Sequence, residues 1–113
     1  MRAWSDAVNS GEDARAATLL ARGAVVIEGA SEQVLHTPAD AERWSRTQPC
    51  GGLVRTLRTH RDIVTVTFLL GDRGTPGSCA AAGGTLTAEF QVLHKRIVFF
   101  RRLSSSPPRP ATG

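Results

Sequence analysis

Residues 24–46, AVVIEGASEQVLHTPADAERWSR, decide how the rest of the chain is read. The apolar run Ala24-Val25-Val26-Ile27 is a strand that ends on one carboxylate, Glu28. Gly29-Ala30-Ser31 turns the chain, and Val34–His36 returns as the hairpin partner. Thr37 then caps a helix with Pro38 at its first position and with Asp40 and Glu42 near its positive end. Trp44 lies on the apolar side of that helix, and Pro49-Cys50-Gly51-Gly52 breaks it. A strand ending on a charge either meets solvent or delivers a carboxylate into a pocket.

Upstream, residues 3–21 read as helical. Trp4, Val8 and, past a break at Gly11, Ala14, Ala17, Leu20 and Ala21 keep the spacing of an amphipathic helix. Gly11 ends a first short helix and Gly23 a second. Downstream the period changes to two. Leu53–His60 and Ile63–Leu70 flank Arg61-Asp62, which suits a tight hairpin. Val64, Val66, Phe68 and Leu70 share one face of the second of these strands. A loop rich in Gly, Pro and Ala runs from Gly71 to Gly84 and leads into Thr85–Leu93, where Leu86, Ala88, Phe90 and Val92 form the apolar face. After a turn at His94-Lys95, strict alternation along Arg96–Leu103 sets Ile97 and Phe99 opposite Val98 and Phe100. One apolar pair then faces away from the core. With Leu69, the face bearing Ile97 and Phe99 predicts a sheet-to-sheet homodimer.

The order of elements is that of an α+β domain over residues 1–103. The tail 104–113, SSSPPRPATG, holds nothing that can pack a core and is expected to be disordered. With 113 residues and 41% hydrophobic content there is one core and no membrane-spanning stretch. The start shows no export signal, so the chain reads as cytoplasmic. Basic residues outnumber acidic ones 14 to 10 and are nearly all arginine. They are scattered, however, and Arg55, Arg58 and Arg61 do not share one face of a strand. A solvated surface explains them, and neither a nucleic-acid nor a membrane partner is expected.

AWSDAVNSGEDARAATLLARGAVVIEGAS (3–31), the capped helix ending in AERW, and LTAEFQVLHKRIVFFRRL (86–103) carry a family likeness. Together they resemble the ketosteroid isomerase branch of the nuclear transport factor two-like, or SnoaL-like, superfamily. The resemblance implies a cystatin-like roll: a conical, curved antiparallel sheet wrapped around three N-terminal helices, usually dimeric. It also implies a blind apolar pocket and no cofactor. Glu28 occupies the place of the family's carboxylate base, which acts opposite a tyrosine and a protonated acid. Here Trp4 matches the tyrosine and Ala88 the acid, and the chain has no tyrosine at all. Loss of one oxyanion donor costs several kcal/mol of transition-state stabilisation. Steroid isomerisation by the family's mechanism is therefore not expected.

The remaining polar candidates are Glu28, His36, Arg58, His60 and Glu89. Glu28 with a neighbouring histidine can form an acid/base pair, or His36 and His60 are strand-end residues in solvent. Trp4, Val8, Trp44, Val66, Phe68, Ala88, Phe90 and Phe100 are the candidate pocket lining, suited to a flat apolar small molecule, or else a filled core. Cys50 and Cys79 fall at the same edge of the sheet and come within bridging reach. A disulfide there would leave an extracytoplasmic location open, whereas two free thiols suit a reducing cytoplasm. The cysteines and histidines lack metal-ligand spacing, so no metal is expected. Two functions remain: a small-molecule-binding domain without chemistry, or an isomerase, cyclase or hydrolase on a polycyclic or terpenoid-like substrate with Glu28 as base.

Overall fold

The computed structural model describes residues 2–108. Three helices, α1 (Arg2–Asn9), α2 (Asp13–Thr18) and α3 (Pro38–Arg46), pack on one face of six strands. These are β1 (Leu20–Glu28), β2 (Ser31–Leu35), β3 (Gly51–His60), β4 (Ile63–Gly71), β5 (Thr85–Leu93) and β6 (Arg96–Ser106). The sheet order is β2-β1-β6-β5-β4-β3. Hairpins join β3 through β6 as a meander, while β1 runs parallel to β6. The sheet is thus mixed, not purely antiparallel, and it curves without closing into a barrel.

Several boundaries move from their sequence-based positions. Helix α2 stops at Thr18, and Leu20 already pairs with Ile97. Leu19 and Leu20 satisfy helical spacing and alternation equally well, and pairing with β6 decides between them. Gly23, with φ +79°, does not end a helix; it lies inside β1 where the register against β6 shifts. Strand β6 runs three residues past Leu103 because Ser104, Ser105 and Ser106 pair with Thr87, Leu86 and Thr85. The expected tail from 104 therefore begins as strand, and residues 109–113 lie outside the described residues.

A bulge corrects the dimer face. The register shifts between Gln91 and Val92 while β6 advances from Ile97 to Phe99, so Val98 is the extra residue. Ile97 and Phe100 consequently both turn inward, at 3% and 1% exposure, and Ile97 does not belong to the outer face. Phe99 stays outside, paired with Val25 and Gln91.

The helical layer is fixed by side chains that stand in for missing backbone partners. Thr37 and Asp40 form a reciprocal capping box at the start of α3. The Asn9 amide accepts from Gly52 N–H at 2.7 Å and donates to its carbonyl at 2.9 Å, as a strand would. Opposite, a Cβ on Gly52 would stand 2.8 Å from Phe68 Cβ, so only glycine fits this approach.

The loop between β4 and β5 closes the same end. A Cys50–Cys79 disulfide spans Cα atoms 4.8 Å apart, and a bridge over 29 residues contributes roughly 2–4 kcal/mol. Asp72 accepts from Gly77 and Cys79 N–H, and these two bonds hold its carboxyl below the usual value of 3.8. Arg73 reaches back under the helices. Its Nε donates to the Val8 carbonyl at 2.8 Å, and its guanidinium also reaches the Ser45, Arg46 and Gln48 carbonyls and the Asp13 carboxylate. One planar fork thereby caps the ends of α1 and α3 and holds the start of α2. The side chains of Arg73 and Asp13 are only 9% and 16% exposed, so the pair is well shielded from solvent. Arg73→Met should cost about 3–5 kcal/mol in urea unfolding, because it strands a buried carboxylate and four carbonyls. Adding Asp13→Asn should recover part of that loss.

Candidate functional site

Glu28 ends β1 on the inner side of the sheet mouth, with its side chain 29% exposed. Two donors hold it. Trp44 Nε1–H, from α3, donates to Oε1 at 2.8 Å, and Arg102, from β6, donates to Oε2 at 3.1 Å. The carboxylate is neither free in water nor alone in a hollow. Arg102 was not among the sequence candidates, although a signal existed: it lies two residues after Phe100 and so shares its inward face. The paired double arginine at a strand end disguised it as surface. Arg102 faces Ala88 across the β5–β6 ladder, and its Nε is buried without a partner.

Neither histidine joins Glu28. His36 is exposed beyond β2, and only its main-chain N–H is engaged, by Asp40 at 3.1 Å. His60 is exposed at the β3–β4 turn, the end of the sheet opposite Glu28. Glu89 faces outward and pairs with Arg101 at 3.0 Å, and Arg58 is exposed on β3. Among the described residues, no group of three or more His, Cys, Asp or Glu is placed to hold a metal ion.

The expected pocket lining divides in two. All eight residues are buried in one core. Trp4 stacks on Trp44 with centroids 5.8 Å apart, and Phe100 meets Trp44 at 5.1 Å and Phe90 at 5.0 Å. These rings, with Val66 and Ala88 fully buried beneath them, occupy the hollow of the cone. Trp44, Val66, Ala88 and Phe90 are packed core and do not edge the cavity left beside them. Within this cluster a cavity of about 30 Å³ stays open toward the disulfide, edged by Trp4, Val8, Cys50, Phe68, Leu86 and Phe100, and a shallower recess of about 290 Å³ adjoins it at Gly51, Gly52 and Leu70. The cavity is a tenth or less of the ~300–1,000 Å³ that holds a drug-sized ligand. Trp4 Nε1–H is buried and has no acceptor among the described residues.

Trp44→Phe should cost about 2–4 kcal/mol, combining a lost donor to a half-buried carboxylate with lost ring volume. Arg102→Met should cost less, about 1 kcal/mol or below, since solvent screens that pair. Equal losses in urea unfolding would mean that the indole bond contributes nothing.

No protein-family model matches the chain, and no curated protein matches it. Solved structures do. A protein from Sinorhizobium meliloti, provisionally identified as a polyketide cyclase, superposes with TM-score 0.68 at 19% identity, covering 88% of this chain and 89% of that one. A Catenulispora acidiphila protein with a ketosteroid isomerase-like fold, solved in complex with trimethylamine, gives 0.71 at 13% identity over 91% and 82%. A SnoaL-like protein of unknown function from Burkholderia thailandensis gives 0.66 at 15% over 90% and 88%. With three helices against a curved six-stranded sheet, the chain has the α+β cone fold of the nuclear transport factor two-like, SnoaL-like superfamily.

Proposed function

We propose that this domain binds a compact, mostly apolar small molecule carrying one hydrogen-bond acceptor, and performs no chemistry on it. The observation that carries the reading is the apolar cavity edged by Trp4, whose buried indole N–H is left without a partner. A buried donor that lacks an acceptor costs about 1–3 kcal/mol, which a ligand carbonyl or ether can return. The likeness to a fold that holds trimethylamine in C. acidiphila supports a ligand of few atoms. A polycyclic substrate is larger than this cavity of about 30 Å³.

The second reading keeps catalysis, with Glu28 as base, and rests on the Glu28–Arg102 pair at the inner sheet face. To accept a proton, Glu28 must first loosen two charge-assisted bonds. The two readings separate in one experiment. Small cyclic ketones and trimethylamine are titrated against the protein, followed by indole fluorescence and product analysis. Binding without turnover is expected. It should weaken about five-fold for ketones in Trp4→Phe and stay unchanged in Glu28→Gln. Turnover abolished by Glu28→Gln would establish the enzyme instead.

We also propose a homodimer through the outer sheet face. Val34, Val25, Phe99, Gln91 and Ile63 follow one another across five strands in register, with Leu69 further along β4. The disulfide supports an oxidising compartment for the assembly. Sedimentation should give a dimer at tens of micromolar, and Phe99→Asp should return a folded monomer.

A further inference from the structure

We propose that the end of the sheet opposite Glu28 is a docking surface for an anionic lipid bilayer, a role separate from the ligand cavity. Some of the cations that looked scattered in sequence are gathered by the fold. Arg15, Arg43, Arg46, Arg73, Arg101 and Arg102 each pair with a carboxylate. Among the described residues Arg2, Arg22, Arg55, Arg58, Arg61, Lys95 and Arg96 form no such pair, and four of these seven, Arg22, Arg61, Lys95 and Arg96, lie toward one end of the sheet. Arg61 occupies the β3–β4 turn, and Lys95 the β5–β6 turn, with Arg96 paired to Leu93 just below it. The two turns are bonded to each other: Val92 N–H donates to the Asp62 carbonyl at 3.0 Å and the Gln91 amide to the Asp62 carboxylate at 2.7 Å. Arg22 and Arg96 edge a common recess. Within the two turns the one carboxylate is Asp62, and its Oδ2 is already engaged by the Gln91 amide.

Backbone conformation is the second, independent observation. Arg61, His94 and Lys95 have φ of 59°, 51° and 65°, the only positive values at non-glycine positions among the described residues. Glycine or asparagine would hold these turns at less backbone cost. Sites where local preference is overridden are where function is sought. The side chains retained at this expense are cationic or titratable.

The occupant follows from what surrounds the charge. Leu93 is 41% exposed at the same tip and pairs with Arg96, and an exposed apolar side chain beside cations suits the headgroup–acyl boundary. No Phe or Trp is exposed there to stack on bases, as a single-stranded nucleic acid requires. The patch also caps two turns instead of tracking a groove. The absence of a spanning helix does not bear on surface binding.

The test is flotation with phosphatidylcholine vesicles, with and without phosphatidylserine. Binding to the anionic vesicles alone, weakened by salt, is expected. Arg61→Gly and Lys95→Gly suit the positive φ and should leave the melting temperature unchanged or higher. Each should lower partitioning about five-fold, and the pair about thirty-fold, whereas Lys95→Arg should retain it. Equal partitioning to both vesicle types, or no loss in the double variant, overturns the proposal. Tighter binding to a DNA or RNA oligonucleotide than to the anionic vesicles also overturns it, in favour of a nucleic-acid partner.

Discussion

Trp44 ties the helical layer to the sheet twice over. Its ring packs between Trp4 and Phe100, and its Nε1–H reaches the last residue of β1. Aromatic side chains bury roughly 150–250 Å² each, so five of them in one cluster dominate the apolar energetics of so small a domain. The same indole that anchors α3 also orients Glu28. Folding and the character of the site are therefore not separable here. A substitution that opens the hollow also releases the carboxylate, and one that frees the carboxylate loosens the helix.

At the other side of the helical layer, polar side chains do what apolar packing cannot. Helix ends leave carbonyls that must be satisfied when water is excluded. Arg73 answers for α1 and α3 together, from a loop that the disulfide and Asp72 keep in place. The glycine-rich segment is thus a fastening, not a lid. Its disulfide partner Cys50, just before β3, edges the residual cavity, so the bridge ties this loop to the cavity wall.

The sequence made the meander legible because β4 and β5 alternate cleanly, with Val66, Phe68, Ala88 and Phe90 all inward. It failed where the chain departs from alternation. Nothing local marks Val98 as the residue that bulges; pairing with β5 selects it. That single slip moved Ile97 from a supposed surface to the core. Leu20 shows the same limit, since a parallel partner almost eighty residues away decided between helix and strand. Of the site, Glu28 was visible as a strand-end acid, but its partners come from α3 and β6. The nearness of Arg22 and Arg96 was hidden for a related reason: they edge one recess only because β1 runs parallel to β6.

The filled cone bears on what chemistry the fold can support. Retracting one ring to admit a polycyclic ligand would re-expose roughly 150–250 Å², or about 4–6 kcal/mol at 25 cal/mol per Å². A ligand would have to return that before any net binding appeared. Replacing an enzyme's tyrosine donor by tryptophan has a further consequence, because indole donates a hydrogen bond yet cannot exchange a proton near neutrality. With Ala88 where an acid would stand, the face opposite Glu28 offers Arg102 alone, and Arg102 is already paired to the carboxylate. The acid is held by its own cation and by the Trp44 indole, at the mouth of a core filled by the protein's own rings. The unpartnered N–H of Trp4 is the exception to this satisfied interior, together with Arg102 Nε.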